Sequence, residues 1–268
     1  MVTAKGPHWS YSSLSGYNMC SLQWSFRYAE RLEPEHTTAS LVFGTAFHAA
    51  AGHMAMLRME GRPADTGAAK DAFAEAWLTG CKSAEEILYG EGEDFRSLAI
   101  KGIGMVGCLA DGWDPDERVL AVSVPFSVEL EGCMAPLVGE IDCVVGPPQN
   151  PVVIDWKTGA NRWPASKADS SLQATCYCHA FHHGHGRIPQ FRFDVVTKAK
   201  DPTYNSYPTT RDIDSFARLA RIAQAVEKAT GAGAFVPRED SYACPDCAYA
   251  GACRAWHRKA AGTISAAA

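Results

Sequence analysis

The N-terminal part of the chain follows the spacing of apolar positions that helices require. Residues 10–30 carry apolar or aromatic side chains at helical intervals, and residues 40–59 do the same, with Ser40 as the candidate N-cap. Two further stretches, residues 66–79 and 84–110, are rich in Ala, Glu and Leu. The four stretches predict a helical N-terminal part.

The pattern changes at residue 119, where alternating and β-branched positions replace the helical spacing. Strands are predicted at residues 119–130, 137–145, 152–156 and 191–197, and helices at residues 171–183 and 212–230. The tail beyond residue 231 is rich in cysteine and is predicted to be irregular. Apart from a final Ala run, no low-complexity linker separates these parts, so we predict one α/β domain over residues 1–268.

The composition is that of a soluble globular protein, with 47% hydrophobic and 21% charged residues. No apolar run approaches the ~18 residues that cross a bilayer. Residues 1–10 lack the apolar stretch of a secretory signal. We therefore expect a cytoplasmic protein with no membrane partner.

Charge is distributed unevenly along this domain. The net charge is −5, but residues 60–118 hold 13 acidic against 6 basic residues, so this acidic helical region carries −7 and the rest of the chain +2. An acidic region turned away from nucleic acid is compatible with a positive groove elsewhere. The charge thus neither supports nor excludes a nucleic-acid ligand.

The strongest chemical signal is a pair of carboxylates on two neighbouring predicted strands. Asp142 ends one strand, and Asp155 and Lys157 lie on the next, beyond a Gly- and Pro-rich turn. Because side chains alternate along a strand, Asp155 and Lys157 share a face, and a hairpin brings Asp142 beside them. Two carboxylates suit Mg²⁺ or Mn²⁺, and Lys157 could hold an attacking water. Taken alone, the pattern also fits a surface ion pair.

Three features reduce the weight of the ion-pair alternative: a histidine on one predicted helix, a polar pair on another, and a set of cysteines. His48 lies four residues after Gly44 and is a competent metal ligand, although a helical histidine is more often a core residue. Gln173 and Tyr177 also lie four residues apart, on the helix that follows the second carboxylate strand. Aimed back at the strand ends, they could orient Lys157 or bind a phosphate.

The sequence contains ten cysteines but no predicted export signal, so we do not expect disulfide bonds. Six of the cysteines lie in apolar stretches, where we expect them to be small buried side chains. Cys244, Cys247 and Cys253 differ, because they place three thiols within ten residues. A fourth ligand could be Cys20, which gives a [4Fe–4S] site, or His257, which gives a zinc site. Spacing alone leaves the two alternatives nearly even.

Two other patterns are interpreted as structural. Residues 102–107 match Gly-x-Gly-x-x-Gly, but they lie in a predicted helix rather than after a strand, so the glycines are expected to permit close helix packing. His182, His183 and His185 are expected to lie in a solvated loop rather than to bind a metal.

Taken together, these motifs resemble those of the RecB-type branch of the PD-(D/E)XK nucleases. The matching elements are His48 and the segments 139–142 (GEID), 155–159 (DWKTG) and 173–177 (QATCY), in that order. The segment 10–14 (SYSSL) with Tyr17, Cys20 and Phe26, and the segment 234–238 (AFVPR) with the three later cysteines, are similar to iron–sulfur members such as AddB-type and CRISPR-associated exonucleases. The acidic region has no counterpart.

The resemblance implies a restriction-endonuclease-like fold, with a mixed central sheet flanked by helices. Its parts would be an N-terminal helical element (10–60), the acidic region (60–118), a catalytic core (119–231) and a cluster segment (235–257). Metal would be bound by His48, Asp142, Asp155 and the Trp156 carbonyl, with Lys157, Gln173 and Tyr177 completing the site. A [4Fe–4S] cluster on Cys20, Cys244, Cys247 and Cys253 would join the two ends of the chain.

The implied activity is Mg²⁺- or Mn²⁺-dependent DNA cleavage, with exonuclease action on single-stranded ends in recombination, repair or phage or CRISPR DNA processing. The chain has no Gly-x-x-x-x-Gly-Lys motif, so we expect it to act alone or with a helicase or recombination partner. The alternatives are a non-catalytic DNA-end-binding module and a structure- or sequence-specific endonuclease. DNA contacts are predicted among Lys198, Lys200, Arg211, Arg218 and Arg221.

Overall fold

The protein is described by a computed structural model over residues 6–164, 166–239, 241 and 243–265, with side chains described to residue 258. Residues 1–5, part of the N-terminal stretch for which no secretory signal is predicted, and the final Ala run at 266–268 lie outside the described residues. Within the described part, every helix is too short or too polar to cross a membrane.

Helices dominate the N-terminal part, as the apolar spacing predicts. They are α1 (Tyr11–Met19), α2 (Ser21–Trp24), a π-helical turn (Ser25–Ala29), α3 (Ala39–Met59), α4 (Thr66–Ser83) and α5 (Phe95–Gly112). Ser10 begins α1 with a capping box, because its hydroxyl accepts from the Ser13 amide and the Ser13 hydroxyl accepts from the Ser10 amide.

Two details of the helical prediction are wrong. Ser40 does not cap α3, because this helix already begins at Ala39. It directly follows the short strand β1 (Thr37–Thr38), which pairs with β2 (Ile87–Leu88). The helix predicted at 84–110 begins only at Phe95, because β2 occupies the first part of that stretch. Gly92 adopts a left-handed φ of 71°, and Asp94 caps α5 by accepting from the Ser97 amide, so local turn chemistry overrides the Ala- and Glu-rich composition.

A five-stranded sheet forms the centre of the molecule. Its strands are β3 (Val119–Val128), β4 (Leu137–Val145), β5 (Val152–Gly159), β6 (Gln190–Thr197) and β7 (Tyr204–Thr209), in the spatial order β3-β4-β5-β6-β7. The β5–β6 pair is parallel and the other pairs are antiparallel, which confirms the predicted mixed sheet. Sequence analysis did not predict β7, an edge strand that contains Pro208 and mostly partly exposed residues.

Helices cover both faces of this sheet. The β5–β6 crossover contains α6 (Ser166–Asp169) and α7 (Leu172–His185), and α8 (Ile213–Gly231) follows β7. Ile154 and Trp156 pack with α3, α4 and α5 on one face, whereas Val153 and Phe193 pack with α7 on the other. The acidic region therefore lies on the face opposite α7.

The chain after α8 is more ordered than predicted. Instead of remaining irregular, it ends in α9 (Ala250–Ser265). The histidine prediction also needs correction, because His182, His183 and His185 belong to the last turn of α7 and not to a loop. The helix stops at Gly186, which has a left-handed φ of 67°. His183 and His185 are exposed, as the solvated interpretation requires.

The glycine-rich segment 102–107 lies within α5, which confirms that it is not a nucleotide-binding loop. Gly102 is buried, and a β-carbon added there would come within 1.9 Å of Phe73 Cζ on α4. Gly104 is exposed, and a β-carbon added there would find no heavy atom within 4 Å. Gly102 thus permits the close contact between α4 and α5.

This contrast predicts opposite effects for two identical substitutions in one helix. Gly102→Ala should lower the free energy of unfolding by about 1–3 kcal/mol, because the methyl group must displace a packed ring. Gly104→Ala should raise it by about 0.5–1 kcal/mol, because alanine is the better helix former. Urea denaturation measures both, and equal effects would show that α4 and α5 do not pack this closely.

Candidate active site

Asp142 lies where β4 and β5 separate. The two strands pair from Val145 and Val152 as far as Cys143 and Ile154, and the pairing ends there. Beyond that point the Trp156 amide donates to Asp142 Oδ2 over 3.1 Å. The Asp142 carboxylate thus accepts a hydrogen bond from the residue that follows Asp155 on the neighbouring strand.

A change of face in β3 and β4 occurs at the same level. Ile141 packs on the α7 side of the sheet and Cys143 on the α3 side, although residues two apart on a regular strand share a face. Ser123, which lies opposite on β3 between the partners of Ile141 and Cys143, has a left-handed φ of 51°. This uncommon backbone conformation for serine accompanies the change of face, which occurs at the level of Asp142.

His48 reaches Asp142 from α3. Its Nδ1 lies 3.2 Å from Asp142 Oδ2, and its ring stands edge-on to Trp156. Burial alone would lower the pKa of His48, but the Asp142 carboxylate outweighs that effect and the pKa is raised. Gly44 borders open space, with no described atom within 4 Å of an added β-carbon, so no other backbone approaches it.

Asp155 and Lys157 form an ion pair on the α7 side. Asp155 is 1% exposed, and Lys157 Nζ lies 2.6 Å from its Oδ2. Burial raises the pKa of Asp155, and Lys157 only partly opposes this effect. Burial would lower the pKa of Lys157, but the Asp155 carboxylate raises it overall. Each group therefore depends on the other for its charge.

Gln173 and Tyr177 complete this cluster from α7. Gln173 Nε2 donates to Asp155 Oδ1 over 2.6 Å and to the Tyr177 hydroxyl over 3.2 Å. Ser171 caps the helix just before them. Gln173 therefore contacts the carboxylate rather than Lys157, and it fixes the second oxygen of Asp155.

The donor set suits a hard divalent cation, because it joins two carboxylates to one imidazole at the end of a strand pair. Among the residues that the structure describes, however, no group of three His, Cys, Asp or Glu side chains stands at ligand spacing. Asp142 is engaged by His48 and the Trp156 amide, and Asp155 by Lys157 and Gln173. A cation would have to compete with these contacts.

The four predicted cluster cysteines line one cavity of about 210 Å³. Cys20 comes from the start of α2, and Cys244, Cys247 and Cys253 come from the C-terminal segment. Burial and the neighbouring thiols raise the pKa of Cys247 and Cys253. A water molecule takes up about 30 Å³, so the cavity that these thiols help to line has room for more than a single ion.

Gln23 donates hydrogen bonds to two of the thiols that line this cavity, whereas His257 does not line it. The backbone amide and the side-chain amide of Gln23 point at Cys20 Sγ and Cys247 Sγ, at 3.5 and 3.6 Å. His257 is not among the described residues that line the cavity, and its Nε2 lies 3.6 Å from Glu239 Oε1. Of the two candidate fourth ligands, Cys20 therefore lines the cavity with the three C-terminal thiols, although the described cysteines do not stand at the spacing of a metal site.

Of the predicted DNA contacts, Arg211 cannot reach DNA because it is buried inside the protein. Its guanidinium makes five hydrogen bonds, to Thr175 Oγ1, Thr209 Oγ1 and the carbonyl oxygens of Thr210, Ala168 and Ser171. Lys198 packs on the Phe43 ring in the opposite helix layer. Lys200, Arg218 and Arg221 are exposed.

Sequence reasoning missed two residues beside the ion pair. Trp163 and Lys167 line a cavity with Lys157 and Gln173. A tryptophan and a lysine in the segment after the Asp-x-Lys strand were the available signal. Only the tertiary fold shows that Trp163, before α6, and Lys167, within α6, lie beside the ion pair.

Comparison with known proteins finds similarity over most of the chain. The sequence profile of the PD-(D/E)XK nuclease superfamily matches residues 8–254. A crystal structure of a candidate exonuclease from Eubacterium rectale has a similar fold, with 12% identity and a TM-score of 0.56 over 89% of this chain and 87% of that chain. The protein SSO0001 aligns with a TM-score of 0.36 and 14% identity over 81% and 85% of the two chains. No curated protein sequence matches the chain.

The burial of Arg211 predicts a role in stability. Arg211→Ala would leave buried carbonyl and hydroxyl oxygens without donors, so the free energy of unfolding should fall by about 2–4 kcal/mol. Arg218→Ala, the exposed control on α8, should change it by less than about 0.5 kcal/mol. Urea denaturation curves provide the comparison, and similar effects for both variants would contradict the buried placement of Arg211.

Proposed function

The chain belongs to the PD-(D/E)XK nuclease superfamily, and from this premise we propose that it is a metal-dependent DNA nuclease acting on single-stranded ends as an exonuclease. The observation that carries the proposal is the meeting of Asp142, Asp155 and Lys157 where β4 and β5 separate, with His48 at 3.2 Å from Asp142. Helicase or recombination partners would supply such ends.

His48, Asp142, Asp155 and the Trp156 carbonyl are the proposed ligands for Mg²⁺ or Mn²⁺. When bound, the metal would neutralise charge on the scissile phosphate and make water a stronger nucleophile. The fit rests on the hard oxygen donors of the two carboxylates and on the imidazole beside them. His48 and Asp142 already touch, so they would form one side of the site.

The remaining side chains would position the reacting groups. Lys157 carries an ammonium 2.6 Å from Asp155 and is partly exposed, so it can donate to a water or a phosphate oxygen next to that carboxylate. Gln173 holds the other oxygen of Asp155 and is itself close to the Tyr177 hydroxyl. These contacts fix Asp155 within a narrow range of orientations, which is what precise placement of a nucleophile requires.

Asp155→Asn tests the nuclease proposal directly. The substitution keeps the shape of the side chain but removes its charge, so cleavage of end-labelled single-stranded DNA with Mn²⁺ should fall at least about 100-fold, roughly 3 kcal/mol of transition-state stabilisation. Adding Lys157→Met should lower the rate little further, because residues that act as a unit are not additive. Asp201→Asn, in an exposed loop, is the matched control and should cleave like the wild type.

The choice of DNA separates the alternatives. An exonuclease should degrade linear single strands and spare closed single-stranded circles, whereas an endonuclease would open the circles. A non-catalytic end-binding module would bind ends but cleave neither substrate with Mg²⁺ or Mn²⁺. Wild-type cleavage rates in Asp155→Asn would show that the site is assigned to the wrong residues.

We also propose that Cys20, Cys244, Cys247 and Cys253 bind a [4Fe–4S] cluster, as in the iron–sulfur branch of RecB-type nucleases. The support is that all four thiols face one cavity, from both ends of the chain. A four-iron cluster holds its thiolates further apart than a single zinc ion does. The amides of Gln23 near two of the sulfurs would stabilise thiolate ligands.

Absorbance and metal content test this cluster without any activity assay. The anaerobically purified wild type should contain iron and absorb broadly near ~400 nm, and Cys20→Ser should lose both. Cys81→Ser, a half-buried cysteine outside the cavity, should keep the colour, and so should His257→Ala. A colourless protein with one zinc, lost in His257→Ala but not in Cys20→Ser, would establish the zinc alternative instead.

A further inference from the structure

A cavity of about 480 Å³ opens next to the Asp155–Lys157 pair. One wall is a face of α1 with Tyr11, Ser15 and Asn18, and the other is the loop after β5 together with the start of α7. Lys157 and Gln173 form part of its lining, so a molecule held there would lie against the proposed catalytic groups. The cavity is large enough for a nucleotide base rather than for a few waters.

The charge of this cavity favours an anionic ligand. Lys157 and Lys167 are its charged residues, and no carboxylate occurs among the described residues that line it. Hydroxyl and amide groups from α1 and from the start of α7 supply further hydrogen-bonding positions. The acidic α4–α5 layer lies on the other face of the sheet and does not border the cavity.

Trp163 gives the cavity a fixed aromatic wall. Its ring lies 5.1 Å from that of Phe193 and 5.8 Å from that of Tyr207, and its backbone amide donates to the Tyr207 hydroxyl over 2.9 Å. A β-carbon at Gly159 would lie 3.4 Å from the indole nitrogen, so the strand end also limits the ring. Trp163 is nevertheless only partly buried, so a ligand in the cavity can reach its ring.

Lys167 covers one face of this ring. Its ammonium lies 4.1 Å from the Trp163 ring centroid, and the side chain is exposed. An exposed cation on an aromatic face is held by only about 0.5–1 kcal/mol, so a nucleobase can replace it. The displaced ammonium would then be free to contact the adjacent phosphate.

From these features we infer a base-stacking subsite: Trp163 holds one unpaired nucleobase beside the scissile phosphate, and Lys167 contacts that nucleotide's phosphate. This inference rests on the proposed nuclease function and deepens it. A base can stack on a protein ring only after it leaves its own stack, and such stacking tolerates any base identity. The subsite would thus select single strands over duplexes without selecting a sequence.

Equilibrium binding to oligo(dT) of about ten nucleotides, with EDTA present so that no cleavage occurs, tests the subsite in the full-length protein. Trp163→Ala should weaken binding roughly 5- to 150-fold, the equivalent of about 1–3 kcal/mol. Trp163→Phe should weaken it less and should abolish the tryptophan fluorescence change on binding. Trp256→Phe, which changes an exposed tryptophan on α9 outside this cavity, is the control and should preserve both. Lys167→Ala should reduce the salt dependence by a slope of about 0.7, one phosphate contact.

An abasic scan identifies the stacked base itself. Oligonucleotides that lack a single base should bind the wild type more weakly at one position, and Trp163→Ala should be indifferent to that position. If the wild type cleaves single strands but Trp163→Ala and Trp163→Phe bind like it, with the fluorescence change intact, the subsite is wrong and the nuclease stands. If binding depends on Trp163 but no metal supports cleavage, the nuclease proposal fails and the subsite stands.

Discussion

The burial of the Asp155 carboxylate is the constraint on which the rest of the site depends. With 1% of its surface exposed, this side chain cannot be stabilised by water, and the protein must supply its partners. Lys157 neutralises one oxygen from two residues along the same strand, and Gln173 donates to the other from α7. Loss of either partner would leave the buried carboxylate incompletely compensated. The two contacts therefore link the end of β5 to the start of α7.

The position of Asp142 depends on a departure from regular sheet geometry. If β3 and β4 alternated without interruption, Ile141 and Cys143 would share a face, whereas they pack in the cores on opposite faces. The left-handed backbone of Ser123 marks this change. Asp142 therefore lies between the layers, where it meets His48 from the α3 layer while Asp155 and Lys157 belong to the α7 layer.

The first helices link this site to the cysteine cavity. The Leu22 amide donates to the Val236 carbonyl and the Tyr17 hydroxyl to the Ala234 carbonyl, which fastens α1 and α2 to the C-terminal segment. Trp24 packs among four aromatic rings at this junction. Tyr11, which also belongs to α1, lines the cavity beside Lys157. Contacts that stabilise this junction therefore also stabilise one wall of the cavity beside Lys157.

The sequence by itself determined the elements that depend on local patterns: the amphipathic helices, the alternating strands β3, β4 and β6, and the Asp-x-Lys strand with its hairpin partner. Motif order was enough to identify the family and to propose the ligand residues. Only the tertiary structure decided features that depend on contacts between residues distant in the chain. The burial of a charged side chain and the strained backbone of Ser123 are examples, because a local pattern of residues predicts neither. Arg211 was predicted to contact DNA because of its charge, but it is buried and makes hydrogen bonds inside the protein. Trp163, which the sequence did not single out, lines the cavity beside Lys157. Local periodicity reports which face a side chain occupies, but packing decides what it meets there.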